Sequence, residues 1–353
     1  MKRFRIIKRQ ERPAWRSCCV YLGAGVLSLV LSGVILWLRG TSPLEGISAL
    51  FQGAFGSRWA IEDSVVKAIP LFLCSLGVAA AFRLQIWNIG AEGQFALGAV
   101  GAAWVALTFP EFPRPLLLLL MAAGACLTGG CWGLVPALLR QRLGANEIIV
   151  TLMMNYIAIQ LLEYLVYGVW KDPGSYGFPM TPMFSDQAVI GKIGSSGIHW
   201  GLFHCLVLGV AFWLFFSFTR TGYEIRASGD SMRAARYAGI RYDYLVALVM
   251  VISGALAGWA GFLEASANIN RLQPSIMVGY GYTAIVIAWL AQLNPISIGI
   301  ASFLLAGLRV GVENLQLDHQ VPAAFGNIIE GLILMMVLAG GFFVRYKLVV
   351  RKT

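Results

Sequence analysis

Apolar runs long enough to cross a lipid bilayer recur from one end of this chain to the other, and its charges collect in the gaps between them. A helix needs about 17–25 mainly apolar residues to cross the hydrocarbon core. Ten runs bounded by charge, proline or glycine approach or reach that length: 18–38, 65–83, 93–109, 115–139, 147–170, 201–218, 244–263, 281–292, 295–311 and 326–344. Lipid offers no partner to backbone N–H and C=O groups, so such spans must be helices that satisfy their own hydrogen bonds. The expected fold is an all-α polytopic membrane protein with about ten transmembrane helices. Composition points the same way: 58% of residues are hydrophobic and 12% charged, where a soluble chain carries about 25% charged residues. A single soluble domain, a disordered tail and a nucleic-acid-binding protein are thereby excluded. The eighth run is short, and only Asn294-Pro295 separates it from the ninth. That pair is either a tight interfacial turn or a break within one bent helix.

The net charge of +10 matters through its placement. Lys2, Arg3, Arg5, Lys8, Arg9, Arg12 and Arg16 precede the first run, and Arg345, Lys347, Arg351 and Lys352 follow the last. Both termini read as cytoplasmic, which requires an even number of crossings. Ten crossings put 19 of the 27 basic residues on the cytoplasmic side and 6 outside; merging runs eight and nine would leave an odd count. The first run is too long for a secretory h-region, and no small-x-small cleavage site follows it, so it reads as an uncleaved span. Residues 1–17 are then a basic cytoplasmic N-terminus, 18–344 a transmembrane domain and 345–353 a cytoplasmic C-terminus. Outer segment 39–64 carries a helical stripe (Leu44, Ile47, Leu50, Phe51, Ala54, Phe55) suited to lying on the membrane surface. Outer segment 171–200 is rich in Gly, Pro and Ser and reads as a loop or short hairpin. The six cysteines show no metal-ligand spacing.

Polar residues inside spans are costly and each one invites a functional reading. Asn88, Glu92 and Gln94 cluster at the turn between runs two and three, where Gly90 and Gly93 allow a tight backbone. Glu92 can simply serve the positive end of the next helix, or the cluster can line or gate a pathway. Asn146 and Glu147 open the fifth run, and Glu147, Thr151 and Asn155 share one helical stripe. That stripe must face protein or water, either for interhelical bonding or to line a translocation path. Glu264 sits near the outer end of its span, where interfacial solvation is the simple expectation. Gly254-x-x-x-Gly258, Ala257-x-x-x-Gly261 and Gly307-x-x-x-Gly311 allow close helix packing.

The one long cytoplasmic loop is 219–243. Ser228-Gly229-Asp230 predicts a helix start capped by Asp230, a short helix over 231–238 and a stop at Gly239. Ala234, Ala235 and Ala238 then share one side, with Arg233 and Arg236 on the other. Such a face suits docking into a groove on a partner; a solvated basic loop that only sets orientation is the alternative. No G-x-x-x-x-G-K-[ST] occurs, so no phosphate-cradling loop is expected. No nucleophile–base arrangement emerges either, and the chain is expected to be non-catalytic and to bind neither a metal nor another cofactor.

Three stretches carry a family resemblance: Trp87 through Gln94 (WNIGAEGQ), Gly144 through Tyr156 (GANEIIVTLMMNY), and the loop Thr221-Gly222, Arg226-Ala227, Asp230, Ala234-Ala235 and Ala238-Gly239-Ile240, followed by Ser253 through Gly258 (SGALAG). In this order they resemble the permease subunits of bacterial ABC importers, in the nucleoside and simple-sugar (ribose-type, branched-chain-like) family. The resemblance covers roughly 65–345. It departs at 279–288, where the family has Gly-Phe, an acidic and a small residue and this chain has Tyr282-Thr283. The resemblance implies an architecture like the larger-permease cobalamin importer, in the bacterial cytoplasmic membrane. It also implies that Arg226, Ala227, Gly229, Asp230, Arg233, Ala234, Ala235, Ala238, Gly239 and Ile240 form the element that couples to an ABC ATPase. ATP and Mg would be held by that separate ATPase chain. A second permease, commonly a homologous heterodimer partner, and a lipid-anchored or periplasmic substrate-binding protein complete the implied assembly. Nucleosides or purine bases lead as substrates, with riboflavin-like compounds and sugars behind. The rival class is an ion-coupled secondary transporter using Glu92 or Glu147 as a proton site, and a third is a non-transporting membrane scaffold.

Overall fold

The computed structural model describes residues 3–8, 14–38, 40, 42–319 and 322–351. Lys2, Arg9, Arg12, Arg39 and Lys352, which contribute to the charge asymmetry, lie outside the described residues. In chain order the elements are β1 (Arg3–Lys8), α1 (Ala14–Leu38), α2 (Pro43–Phe55), α3 (Arg58–Arg83), α4 (Ala91–Thr108), α5 (Arg114–Leu143), α6 (Glu147–Tyr167), α7 (Gly201–Phe218), α8 (Arg220–Asp230), α9 (Met232–Tyr237), α10 (Tyr242–Leu263), α11 (Tyr280–Leu290), α12 (Pro295–His319), α13 (Ala323–Arg345) and β2 (Tyr346–Arg351). The fold is mostly helical. Among the described residues seven helices are long and apolar enough to cross a membrane, and the pair Leu22–Leu38 and Pro43–Phe55, bent by 119°, brings the number to eight. A helix also occupies the other two predicted runs. There α4 opens on the polar Glu92 and Gln94, and α11 has only 11 residues.

Runs eight and nine form two separate helices. Gln292 (φ 51°) and Leu293 (φ 63°) are consecutive left-handed residues between α11 and α12, a conformation that no continuous helix tolerates. Asn294 Oδ1 then accepts from the N–H groups of Ile296 (3.0 Å) and Ser297 (3.4 Å), and Pro295 takes the first helical position, where its missing N–H costs nothing.

The chain divides into two compact units, one of residues 1–64 with 304–353 and one of residues 65–303. In the first, β1 pairs antiparallel with β2, Arg3 opposite Arg351 and Lys8 opposite Tyr346; this pairing of the chain ends was not anticipated. Helix α2 turns out to pack on protein: Gly46, Leu50 and Ala54 are buried while Leu44 and Phe51 face outward. Leu36, Leu50, Val312, Leu315 and Ile329 form a shared apolar cluster. Close approach is set by glycine, since a Cβ on Gly311 would overlap the Leu50 carbonyl. Arg309 Nη2 pairs with Glu330 Oε1 at 3.3 Å, both side chains largely buried.

The second unit is built on α4, α5 and α10. Gly98 meets the Gly258 backbone, Gly129 meets Gly254, and Gly261 meets the Phe95 carbonyl, so that a Cβ at any of these would overlap main chain. Close backbone approach of this kind maximises dispersion where lipid leaves no hydrophobic driving force between helices. Thr128 Oγ1 adds a bond to Leu97 O (2.8 Å). Surrounded in this way, α4 is buried on every side from Ala91 to Ala103. Segment 171–200 contains a short hairpin (Lys192 bridging His199) and lies along 264–272, with Phe184 N–H bonded to Asn270 O (2.9 Å) and Ile190 N–H to Ser266 O (3.1 Å). Glu264, expected to be solvated, is instead buried and accepts from Asn268 Nδ2 at 2.8 Å.

Candidate functional site

The polar residues of the WNIGAEGQ stretch and those of α6 come together in one buried knot. The chain leaves α3 at Arg83 and runs without helix through 84–90 before α4 begins. Asn88 is fully buried; its Nδ2 donates to Gln94 Oε1 (3.0 Å) and Ser253 Oγ (2.8 Å), and its Oδ1 accepts from Gly90 N–H (2.9 Å). Thr151 Oγ1 accepts from Ile89 N–H (3.3 Å) and donates to Glu147 O (2.7 Å). Asn155 Oδ1 accepts from Gly93 N–H (2.8 Å), while its Nδ2 donates to Ile89 O (2.8 Å) and to the Tyr282 hydroxyl (3.2 Å). The two asparagines thus satisfy backbone groups that the irregular 84–90 segment leaves outside any helix, which low-dielectric burial makes expensive to ignore. Ser253 lies eleven residues into α10, about 16 Å along its axis at 1.5 Å per residue, roughly half a bilayer core.

Glu92 projects from the first turn of α4 toward α11. Its Oε1 accepts from Gly279 N–H (2.9 Å) and its Oε2 from Gly281 N–H (2.6 Å). An acidic side chain from one helix therefore caps the amino end of another, where the helix dipole favours negative charge. Gly279 (φ 85°) supplies the left-handed turn into α11, and a Cβ on Gly281 would overlap the Glu92 backbone.

Asn146 and Glu147 stand apart from this knot. Asn146 caps α6 by accepting from Ile148 N–H (2.9 Å), and Glu147 Oε1 pairs with Arg140 Nη1 at 3.1 Å. The stripe read from sequence is thus divided: Thr151 and Asn155 enter the knot, and the Glu147 side chain turns to the end of α5.

Loop 219–243 is a helix–turn–helix. Thr219 Oγ1 caps α8 through Gly222 N–H (3.0 Å), and Ser231 Oγ caps α9 through Ala234 N–H (3.3 Å). Asp230 is the last residue of α8 and caps nothing; Ser231, the next residue, takes that part. Gly239 (φ 77°) closes α9 in the left-handed conformation expected of it. Arg226, Asp230, Arg233, Ala234, Ala238 and Gly239 are exposed, Ala227 and Ile240 half-buried, and Gly229 and Ala235 buried. The alanine face is therefore split: Ala235 turns into the protein, while Ala234 and Ala238 flank the exposed Tyr237.

Sequence patterns pointed to neither Ser253 and Tyr282 as knot members nor Gln85 and Arg83 as contacts of α8. Their partners are 127 or more residues away, and no local periodicity encodes them.

A helical bundle with seven helices long and apolar enough to cross a membrane, an internal polar knot and glycine-tight helix contacts is that of a multi-pass membrane protein. The family described as branched-chain amino acid transport system / permease component matches residues 60–338, and the chain belongs to it. The chain is 31% identical to the glucose ABC transporter permease protein of Haloferax volcanii over 96% of its length and 92% of that protein. It is 32% identical to the guanosine ABC transporter permease protein NupP of Bacillus subtilis, over 93% and 94% of the two chains, and 28% identical to the nucleoside ABC transporter permease protein NupB of Lactococcus lactis, over 91% of each. Among solved structures, a metal-chelate type ABC transporter in an inward-facing conformation aligns over 92% of this chain and 99% of its own, at 19% identity and a TM-score of 0.42.

Proposed function

We propose that this chain is the permease subunit of an ATP-driven importer of nucleosides or a related small polar molecule, with α8–α9 as its coupling element. The observation that carries this is the permease-family match over 60–338, within which an exposed, capped helix pair interrupts the apolar spans. Two of the similar relatives are named for guanosine or nucleosides and one for glucose, so nucleosides lead. Bacillus subtilis has two different guanosine permease proteins, NupP and NupQ, both similar to this chain, which favours a heterodimer with a second permease. A separate ABC ATPase holds ATP and Mg, and a substrate-binding protein delivers the cargo; nucleic acid has no place in the assembly. Ten crossings with both termini in the cytoplasm fit the basic asymmetry of the chain. The β1–β2 pairing supports an even count, because two paired ends must lie on one side of the membrane. Helix α4, at 18 residues about 27 Å long, and the shorter α11 are the two crossings beyond the eight of clear length. The setting is the bacterial cytoplasmic membrane.

Ion coupling finds no support. A proton carrier must bind and release its proton during the cycle, but both oxygens of Glu92 are held by backbone N–H groups and Glu147 is paired with Arg140. The knot (Asn88, Glu92, Gln94, Thr151, Asn155) acts in this reading as the closed point of the path rather than as a proton wire, and Asn146 and Glu147, apart from it, lie further along the path. The test uses Tyr237→Asp with Ala238→Arg, both on exposed positions. Expected results are loss of ATPase co-purification and loss of radiolabelled guanosine uptake by the reconstituted complex. Normal assembly with normal uptake would overturn the coupling role.

A further inference from the structure

Residues 83–92 are fastened near one end to α8 and at three levels to α11, besides the bonds of Asn88 to α10 and of Ile89 to α6. Gln85 Nε2 donates to Gly229 O at 2.6 Å, and Gly229 sits so close to the strand of chain leaving α3 that a Cβ there would overlap the Arg83 carbonyl. Gly229 belongs to the last turn of α8, immediately before the Ser231 cap of α9. On the other side the same ten residues reach α11 at three levels. Glu92 holds the N–H groups of Gly279 and Gly281 at its start. Trp87 stacks on Trp289 in its last turn, with ring centroids 5.8 Å apart and planes at 27°. Arg83 Nη2 donates to Leu293 O just beyond it, at 2.8 Å. Leu84, Ile86 and Asn88 are buried, so the segment is gripped from both flanks although 84–90 is not helical.

Helix α11 is suited to move as a body. It is short, it starts after left-handed Gly279, and it ends before left-handed Gln292 and Leu293. Changes in φ and ψ at element ends are how rigid pieces swing. Helices α4, α5 and α10 meet backbone to backbone at several levels and have no room to slide, whereas α11 meets the α4 backbone in its first turn, at Gly281. A displacement of α8 therefore has a direct mechanical route, through Gly229 and Gln85 into 83–92, and from there into α11.

We propose that residues 83–92 form a strap that delivers movement of the coupling helices to α11, with Gln85 as the positioning residue that ties the strap to α8. This rests on the coupling role proposed for α8–α9. Gln85 adopts a left-handed φ of 58°, which glycine adopts without the steric cost borne by an L side chain. Gln85→Gly thus removes the tie while relaxing the backbone, and Gln85→Lys keeps a donor of sufficient reach.

The experiment is amide hydrogen exchange on the reconstituted complex with its ATPase, with and without ATP and vanadate. In the wild type, exchange should change over both 229–240 and 279–292. In Gln85→Gly the response at 229–240 should persist while that at 279–292 falls about tenfold, the equilibrium shift set by one lost hydrogen bond at the upper end of its range, and Gln85→Lys should restore it. An undiminished response at 279–292 in Gln85→Gly would overturn the strap. So would a wild type in which 229–240 responds and 279–292 does not. Absence of any nucleotide response at 229–240, or of a co-purifying ATPase, would instead overturn the coupling reading beneath it.

Discussion

Replacing Glu92 by Gln changes one atom and should destabilise the protein measurably. The carboxylate is 2% exposed and receives two backbone N–H groups, from Gly279 at 2.9 Å and Gly281 at 2.6 Å. Glutamine retains one carbonyl oxygen for one of them and turns an NH2 group toward the other. The retained bond loses its charge assistance, worth about 1 kcal/mol. The second N–H is left buried without an acceptor, at about 1–3 kcal/mol. No cavity forms, because the side chains have nearly equal volume. The total is about 3 kcal/mol, which for a chain of this size lowers the thermal midpoint by about 5 °C. The assay is thermal unfolding of the purified permease in nanodiscs, alongside uptake by the assembled complex. A proton-carrier role for Glu92 predicts something different: glutamine would mimic the protonated carboxyl, stability would hold and only uptake would fail. An unchanged midpoint would therefore refute the capping role, whatever happened to transport.

Asn155→Leu removes bonds to Gly93, Ile89 and Tyr282 at once and should cost about 3 kcal/mol, whereas Tyr282→Phe loses one partly exposed bond and should cost about 1 kcal/mol or less; chemical denaturation in mixed micelles orders the two, and equal costs would contradict the network. Gly258→Val drives methyl groups into the Ala125 carbonyl and toward the Gly129 backbone, so the folded yield should collapse by more than the 1–3 kcal/mol typical of overpacking, while Gly331→Val, where a Cβ meets nothing within 4 Å, should be tolerated. His199 lies in segment 171–200 at 4% exposure, and burial, then the nearby His204 charge, lowers its pKa from 6.5 to about 4. The unfolded chain binds that proton below pH 6.5 and the native one only near pH 4, so stability present above pH 6.5 is lost as pH falls through this window, up to about 3 kcal/mol. His199→Gln, which keeps an acceptor for Gly201 N–H, should flatten the midpoint between pH 7 and 4.5, and an undiminished acid loss would show that another group is responsible.

Much of this architecture is written in local pattern. Each apolar run bounded by charge became a helix because lipid leaves the backbone no other solution, the stop expected at Gly239 is made there, and the caps that the structure adds at Asn146 and Asn294 act within three residues of themselves. The loop helix failed by one residue, since Asp230 and Ser231 are both good caps and only the bond to Ala234 N–H decides between them. The side of α9 was misjudged because a six-residue helix has too little periodicity to show which face is inward, and Ala235 rather than Ala234 turned in. Glu264 looked solvated because span ends usually are; the overlying 171–200 segment, distant in sequence, covers it. The knot was half legible: composition flagged Asn88, Glu92, Gln94, Thr151 and Asn155, but their partners Ser253, Gly279 and Gly281 come from elements whose packing no local spacing reveals.

The saturation of that knot bears on where the energy for transport enters. Every carboxylate and carboxamide described there holds hydrogen bonds, so parting the knot costs free energy that must be supplied from elsewhere. Opening it means parting several buried hydrogen bonds together, each about 1 kcal/mol net and more where charge is involved. A two-state element shifts only by the differential affinity of what binds it. The chain carries no nucleotide loop, and its exposed handle is the α8–α9 pair, one residue of which, Gly229, is bonded to the segment that threads the knot. On the proposed reading, the glycine-paved frame, the short α11 and a helix pair joined to the 83–92 segment by the Gln85 carboxamide would form a lever for a partner protein to pull, which is the physical content of calling this chain a permease subunit rather than a transporter.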